Sequence, residues 1–277
     1  MISQIASKFR STVNFTTHGE VTLFRELAGA IQSTSKSVFI DETHGSSKCN
    51  VRFTNCLGAK DRCEIADLLI ITYASKERPL RATFWQAKKE PKSEWASSNS
   101  KVRQLDFKAQ FNQWDLLARR PKIDGVGKFT PPTNLLSDAR SSSIGTFGTF
   151  YERNGKIEVF HSVAEFVSCT NPNSKHPNFV SNGLLSRYSF ANQEAISRIT
   201  LEEFLVALFG FQVGSILLPT SQSDAWLASY AQTKARQMGV PIDPNFFSQY
   251  DQPNVSVDID AAEDGLSILF VHAEAAV

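Results

Sequence analysis

Apolar residues recur along this chain with two periods, and the switches between them mark its elements. In residues 17–31, THGEVTLFRELAGAI, Phe24, Leu27, Ala28 and Ile31 fall at i, i+3, i+4 and i+7, the stripe of an amphipathic helix. Thr17 followed by Glu20 fits a capping box at its start. Residues 37–54 are rich in β-branched and aromatic residues and are broken by His44-Gly45-Ser46-Ser47, which predicts two strands. Residues 63–73, CEIADLLIITY, are almost continuously apolar, the signature of a central strand buried on both faces. The polar stretch 75–79, SKERP, turns the chain, and residues 81–88, RATFWQAK, form the second arm of a hairpin.

Residues 92–103 are polar and read as a loop. Residues 104–118 read as a helix with Phe107, Phe111, Trp114 and Ala118 on one face, ended by Pro121. An irregular stretch, 122–142, leads to strands near 143–151 and 156–161, joined by the turn Arg153-Asn154-Gly155. Residues 169–183 read as loop, 200–209 and 223–238 as helices, and 266–272 as a strand. The pattern predicts a chain of mixed α and β elements without internal repeats.

Composition narrows the class. Of 277 residues, 42% are apolar and 21% charged, the balance of a globular protein, and 21 Phe supply core material. The longest apolar run, 204–211, falls short of the roughly 20 residues a membrane-spanning helix needs. The first residues lack the apolar stretch of a secretory signal, and four cysteines are too few for a disulfide framework, so a cytoplasmic protein with reduced thiols is expected. Cys49, Cys56 and Cys63 are evenly spaced, with His44 nearby. Six intervening residues are wider than zinc knuckles use, and the reading is thiols along strands. The net charge of +1 hides an asymmetry. Residues 76–128 hold thirteen Lys/Arg against six Asp/Glu, and residues 239–277 hold seven Asp/Glu and no Lys or Arg. The basic stretch suits a polyanionic substrate and equally a solvated surface.

The candidate chemistry lies in the hairpin. Gln86 and Lys88 share one strand face, and a turn centred near Glu77 sets residue 67 opposite 86 or 87. An acid, an amide and an ammonium then meet on one patch of sheet. An ionised Asp67 in an apolar strand is unfavourable unless it is paired or bound to metal. One reading is a buried Asp67–Lys88 salt bridge. The other is a site for a hard divalent ion, which prefers oxygen ligands. Lys108, Gln110 and Gln113 interleave with the aromatic residues of the following helix and could meet a nucleic-acid backbone or simply face solvent. Gly145 and Gly148 in SIGTFGTF have no helix signal after them and do not make a phosphate loop.

A strand-borne acid, a short hairpin and then (Asp/Glu)-x-Lys resembles the PD-(D/E)xK nuclease superfamily, whose members include restriction endonucleases, Holliday-junction resolvases and anti-phage nucleases. The resemblance covers roughly residues 17–118 and implies an α/β (α+β) fold. Its restriction-endonuclease-like core, residues 1–125, would be a central mixed sheet flanked by helices. Residues 126–277 would be an α+β elaboration for target recognition, dimerisation or regulation, or part of the same domain. It implies a Mg²⁺-dependent deoxyribonuclease, with Mn²⁺ able to substitute, acting on double-stranded DNA in restriction or phage defence. A homodimer and a defence-system partner protein are further expectations of the resemblance. In the family's pattern Asp67 is the metal-binding acid, Gln86 stands where the second acid would be, Lys88 is the catalytic lysine, and Glu20 is the further metal-binding acid of the preceding helix. Capping of the helix with Thr17 is the other reading of Glu20. Glu26 points to the opposite helix face, and Glu64, three residues before Asp67 on a strand, to the opposite sheet face. Ala66 replaces the family's proline. Gln86 brings no charge, so a nuclease-like fold that binds nucleic acid or a partner without cutting is the alternative.

Overall fold

The computed structural model of the chain describes residues 1–34, 38–41, 49–74, 79–90, 105–181, 187–242, 246–253, 255, 257 and 266–273. Two helices come first, α1 (Ile2–Thr12) and α2 (Glu20–Thr34). Strands β1 (Val38–Asp41), β2 (Asn50–Thr54), β3 (Lys60–Glu64), β4 (Leu68–Tyr73) and β5 (Arg81–Lys89) follow, then β6 (Leu105–Lys108), α3 (Phe111–Arg119) and the short β7 (Asp124–Gly125). Next come β8 (Gly145–Arg153), β9 (Lys156–Val163), β10 (Val167–Cys169), β11 (Asn178–Ser181), β12 (Arg187–Ser189) and β13 (Glu194–Arg198). After these stand α4 (Leu201–Phe209), β14 (Ser215–Ile216), α5 (Gln222–Gln237) and β15 (Ile268–His272).

Nine strands make one mixed sheet in the order β1-β15-β4-β5-β8-β9-β13-β12, with β14 paired to the start of β5. β4 and β5 are antiparallel, β15 runs parallel to β4, and β8 runs parallel to β5. The fold is mixed α+β around a mixed central sheet, and the sheet takes strands from both sides of residue 125. Side chains alternate along each strand, so neighbouring residues enter different cores. Leu68, Ile70, Trp85, Ala87 and Phe150 pack with α1, α2 and α4, whereas Leu69, Ile71, Ala82, Phe84 and Phe147 pack with α3 and α5. With both faces covered, every residue of β4 and all of β5 but Lys89 are buried. Each fully buried Leu, Ile or Phe contributes about 1.5–3 kcal/mol, which fixes the hairpin within the slab.

Several elements differ from the expected ones. The run 63–73 is two strands with a bend at residues 65–67. β3 pairs with β2 in a separate three-stranded sheet, β3-β2-β7, and the Ile65 N–H donates to the Cys49 carbonyl at 3.0 Å. Cys63 and Ile65 stay buried throughout, so burial alone hides the break. The two strands expected in 37–54 exist, but β1 pairs with β15 and β2 with β3 and β7; the intervening turn and His44 lie outside the described residues. Cys49 and Cys63 are buried thiols beside or on these strands, and Cys56 is exposed.

The helix expected over 104–118 is a strand followed by a shorter helix. β6 pairs with β11, and the Phe107 ring packs at a tilt against Phe147 and Phe179. β10 and β11 occupy part of the stretch read as loop. Residues 92–103 lie outside the described residues. α3 ends as Pro121 requires, with Arg120 in the left-handed region at φ 55°. α1 is absent from the pattern read above, although Ile5, Ala6 and Phe9 bury a stripe of the same period. The β8–β9 hairpin, both later helices and the last strand lie where the pattern puts them; Asn154 and Gly155 take φ values of 52° and 69°, as a type I′ turn demands. Among the described residues, no helix is long and apolar enough to cross a membrane.

Gly145 and Gly148 are positions of close approach. A Cβ at Gly145 would sit 2.7 Å from the Leu117 carbonyl oxygen, and one at Gly148 would sit 1.7 Å from the Trp85 ring. Gly148→Ala is therefore expected to destabilise the protein by at least about 3 kcal/mol in urea denaturation. Gly29→Ala, exposed on α2 with nothing within 4 Å, is expected to stabilise it by about 1 kcal/mol. A Gly148→Ala protein as stable as the parent would mean that Trp85 does not press on β8 as described.

Candidate active site

The β4–β5 ladder starts at Leu68 opposite Trp85, which leaves Asp67 opposite Gln86, as the turn arithmetic expects. Asp67 Oδ2 accepts hydrogen bonds from the Gln86 side-chain amide and from the Ala87 main-chain N–H, the latter at 2.7 Å. Gln86 and Lys88 share a strand face and are both buried. Lys88 Nζ lies 3.6 Å from Glu20 Oε2, and Glu20 Oε1 accepts from the Lys89 main-chain N–H at 3.3 Å. Lys89 points the other way, donates to the His18 carbonyl at 2.8 Å and to the Phe15 carbonyl, and so ties the α1–α2 connection to β5. All four residues singled out in the sequence thus meet around the end of β5.

Their partners differ from those expected. Lys88 makes its ion pair with Glu20, not with Asp67. Glu20 makes no capping box with Thr17. It is itself the first residue of α2, the Gly19 carbonyl accepts the Leu23 N–H at 3.0 Å, and the Thr17 N–H goes to Asn14 Oδ1 at 3.2 Å. Glu64 is not carried away from Asp67 by strand alternation, because the bend at 65–67 interrupts the strand and its charge acts on the Asp67 carboxyl. Glu90, next in register on the Gln86–Lys88 face, is a buried acid that sequence reasoning passed over; the period of two that pairs 86 with 88 also reaches it. Of the polar residues assigned to the following helix, Gln113 is buried, while Lys108 is exposed on β6 and Gln110 is half-buried before α3.

The electrostatics are unsettled at Asp67. Burial pushes the Asp67 carboxyl up from 3.8 to about 6. The Lys88 charge and the Ala87 N–H oppose that shift, and the charges of Glu64 and Glu20 add to it. Beside it, Gln86 Oε1 is buried and has no hydrogen-bond partner. Buried polar atoms are nearly always satisfied, so an orphan amide oxygen next to a reluctant carboxylate marks a position that is incomplete on its own. Both atoms are hard oxygen donors. Mg²⁺ typically uses one or two protein carboxylates and fills its remaining positions with water and phosphate. Asp67 and Gln86 fit one such ion. Among the described residues, no three His, Cys, Asp or Glu side chains group closely enough to hold an ion by themselves. Glu20, already engaged by Lys88 and the Lys89 N–H, positions the lysine in this arrangement.

Set against known proteins, the chain matches no family model, no curated protein and no solved structure. The reading of the site rests on its own residues.

The raised Asp67 pKa has a consequence for stability. Because the folded state favours the protonated acid, its stabilising contribution is complete below about 3.8 and is lost as pH rises through about 6. Asp67→Asn keeps an oxygen to accept the same hydrogen bonds and removes the charge. It is expected to be more stable than the parent by about 2 kcal/mol at pH 8, with most of that gain gone at pH 4. Urea denaturation at the two pH values checks this. A loss of stability at pH 8 would instead make Asp67 an ordinary stabilising carboxylate.

Proposed function

We propose that this chain is a metal-dependent nuclease of the PD-(D/E)xK type that hydrolyses DNA phosphodiester bonds. The observation that carries the reading is the buried Gln86 Oε1 without a partner beside the Asp67 carboxyl, on the same strand face as a buried lysine. The order of α2, the β4–β5 hairpin and α3 also suits the helix–sheet–hairpin–helix core that the resemblance implies. A bound Mg²⁺ or Mn²⁺ would supply Lewis-acid chemistry, lowering the pKa of water and steadying charge on the phosphate. Asp67 and Gln86 would hold the ion. Gln86 turns its NH₂ to Asp67, and a half-turn of the amide would present its oxygen there instead. Lys88 orients the attacking water and stabilises the charge that develops on the phosphate, and Glu20 offsets the unfavourable burial of that lysine. Double-stranded DNA as substrate, a cytoplasmic setting in restriction or phage defence, and assembly as a homodimer or with a defence partner belong to the same proposal.

One observation favours a second reading. Gln86 is neutral, and its amide already serves the Asp67 carboxylate without an ion. In that reading the fold binds nucleic acid or a partner protein and does not cut.

Supercoiled plasmid is expected to be nicked or linearised by the protein in Mg²⁺ or Mn²⁺. Asp67→Ala and Lys88→Ala should each slow this at least about 100-fold with unchanged circular dichroism. Retained cleavage in both variants would remove the site from the mechanism, and no cleavage in any divalent ion would favour the second reading. Gln86→Glu sets a second carboxylate against Asp67. It is expected to lower the melting temperature in EDTA and to show a larger rise with Mn²⁺ than the parent does. Equal Mn²⁺ shifts in the two proteins would exclude position 86 as a ligand.

A further inference from the structure

The three-stranded sheet β3-β2-β7 carries more exposed basic than acidic side chains, with Asp124 of β7 in register beside Arg52 as the one exposed acid of its described strands. Along β2 and β3, Val51, Phe53 and Cys63 turn inward, and Arg52, Thr54, Lys60 and Arg62 are exposed. The register sets Arg52 directly opposite Arg62, with Thr54 opposite Lys60. Like charges facing each other across antiparallel strands destabilise a sheet. Exposed Lys122 joins them along a cleft of about 750 Å³, which Asp61 and Asp124 also line. Asp61 is committed elsewhere. Its carboxylate accepts from the Arg62 main-chain N–H at 2.8 Å, from Asn112 at 3.3 Å and from Asn55 at 3.5 Å. Among the described residues, none of Arg52, Lys60, Arg62 and Lys122 forms an ion pair.

We propose that this face holds the phosphate backbone of a DNA duplex. Lys60 and Arg62, two apart on one strand, stand about 7 Å from each other, and Arg52 lies about 5 Å across from Arg62, spacings on the scale of neighbouring phosphates. The one aromatic residue at the cleft, Phe53, is buried, so the face offers charge without a ring for stacking on bases and would bind independently of sequence. β3 runs through the bend at 65–67 into Asp67, which connects this face to the candidate site by five residues of chain from Arg62. The proposal deepens the nuclease reading and rests on it for the kind of polyanion. It concerns binding, which is measured without cleavage.

Fluorescence anisotropy of a short labelled DNA duplex in EDTA, over a series of salt concentrations, tests it. Arg52→Glu with Arg62→Glu is expected to weaken binding at least about 10-fold and to lower the salt slope by about two. Lys8→Glu with Arg236→Glu, exposed on α1 and α5, serves as the charge control and should change affinity by no more than about twofold. Arg62→Glu alone should weaken binding and yet raise the melting temperature, because it replaces a repulsion across from Arg52 with an attraction; a purely structural arginine would not separate the two. The proposal is overturned if the parent does not bind duplex at low salt, if the double variant binds within about twofold of the parent, if the control loses as much, or if polyglutamate displaces the duplex as effectively as unlabelled DNA does. Binding on this face with no cleavage in any divalent ion would overturn the nuclease reading alone.

Discussion

The burial of β5 between β4 and β8, with helices over both faces, sets the geometry of everything else. Trp85 and Ala87 must enter the core under α1, α2 and α4, and Phe84 the core beside α3 and α5. A slip of one residue would reverse that assignment and drive Gln86 and Lys88 into an apolar layer, so the register is strongly specified. Gly148 belongs to the same constraint, because the parallel neighbour β8 can lie beside β5 only where nothing projects toward the Trp85 ring. Once this register holds, Asp67 has no choice but to face Gln86 and the Ala87 N–H.

The two ends of β5 show two ways in which burial meets charge. Arg81, at the start of the strand, is buried with Glu194. Its guanidinium donates to the carbonyls of Gly214 at 2.8 Å, Asn192 at 2.9 Å and Gln193 at 3.3 Å, and Glu194 also accepts from Ser141 at 2.7 Å. That network joins β5 to β13 and β14 and has the character of an internal strut. At the other end, Asp67 titrates near 6, Gln86 keeps an oxygen with no partner, and Lys88 reaches past Asp67 to a half-exposed Glu20. The Arg81 end is not fully satisfied either, since its Nε is buried without a partner. What sets the Asp67 end apart is that its orphan atom is an oxygen beside a carboxylate, a pair that a cation can complete, whereas the Arg81 guanidinium already faces Glu194 and three carbonyls.

Local signals were legible and long-range ones were not. The hairpin, the Asn154-Gly155 turn, α4, α5 and β15 all declare themselves through periodicity or turn chemistry. The break between β3 and β4 does not, because residues 63–73 are buried on both sides of it and an apolar run looks the same whether or not it bends. Phe107 repeats in helical phase with Phe111 and Trp114, yet it sits in β6 because β11 offers a partner more than 70 residues away. No box forms at Thr17 and Glu20, while side-chain caps stand at Thr200 and Ser221, which accept the N–H groups of Glu203 and Asp224. Of the candidate site, Asp67, Gln86 and Lys88 followed from strand arithmetic alone. The Lys88–Glu20 pair and the unsatisfied Gln86 oxygen depend on how α2 settles on the sheet, which no local spacing encodes.

Charge then links the site to the surface beside it. Around Asp67 stand Glu64 and Glu20, both raising its pKa, with Lys88 as the cation that opposes them. Such a pocket repels a phosphodiester as readily as it repels its own carboxylate. A nuclease built here needs positive charge from two sources. One would be a divalent ion at Asp67 and Gln86, which would turn the repulsion into coordination. The other is a basic surface close enough to hold the backbone while the reacting phosphate enters, since phosphate contacts supply most of the affinity for a nucleic acid. The bend at residues 65–67 removes β3 from the large sheet, joins it to β2, and leaves Arg52 and Arg62 opposed on a solvent face five residues of chain before Asp67. A strand continuing through 63–73 in the large sheet would have carried Arg62 under the helices, so the break that sequence periodicity conceals is also what leaves Arg52 and Arg62 exposed on the smaller sheet.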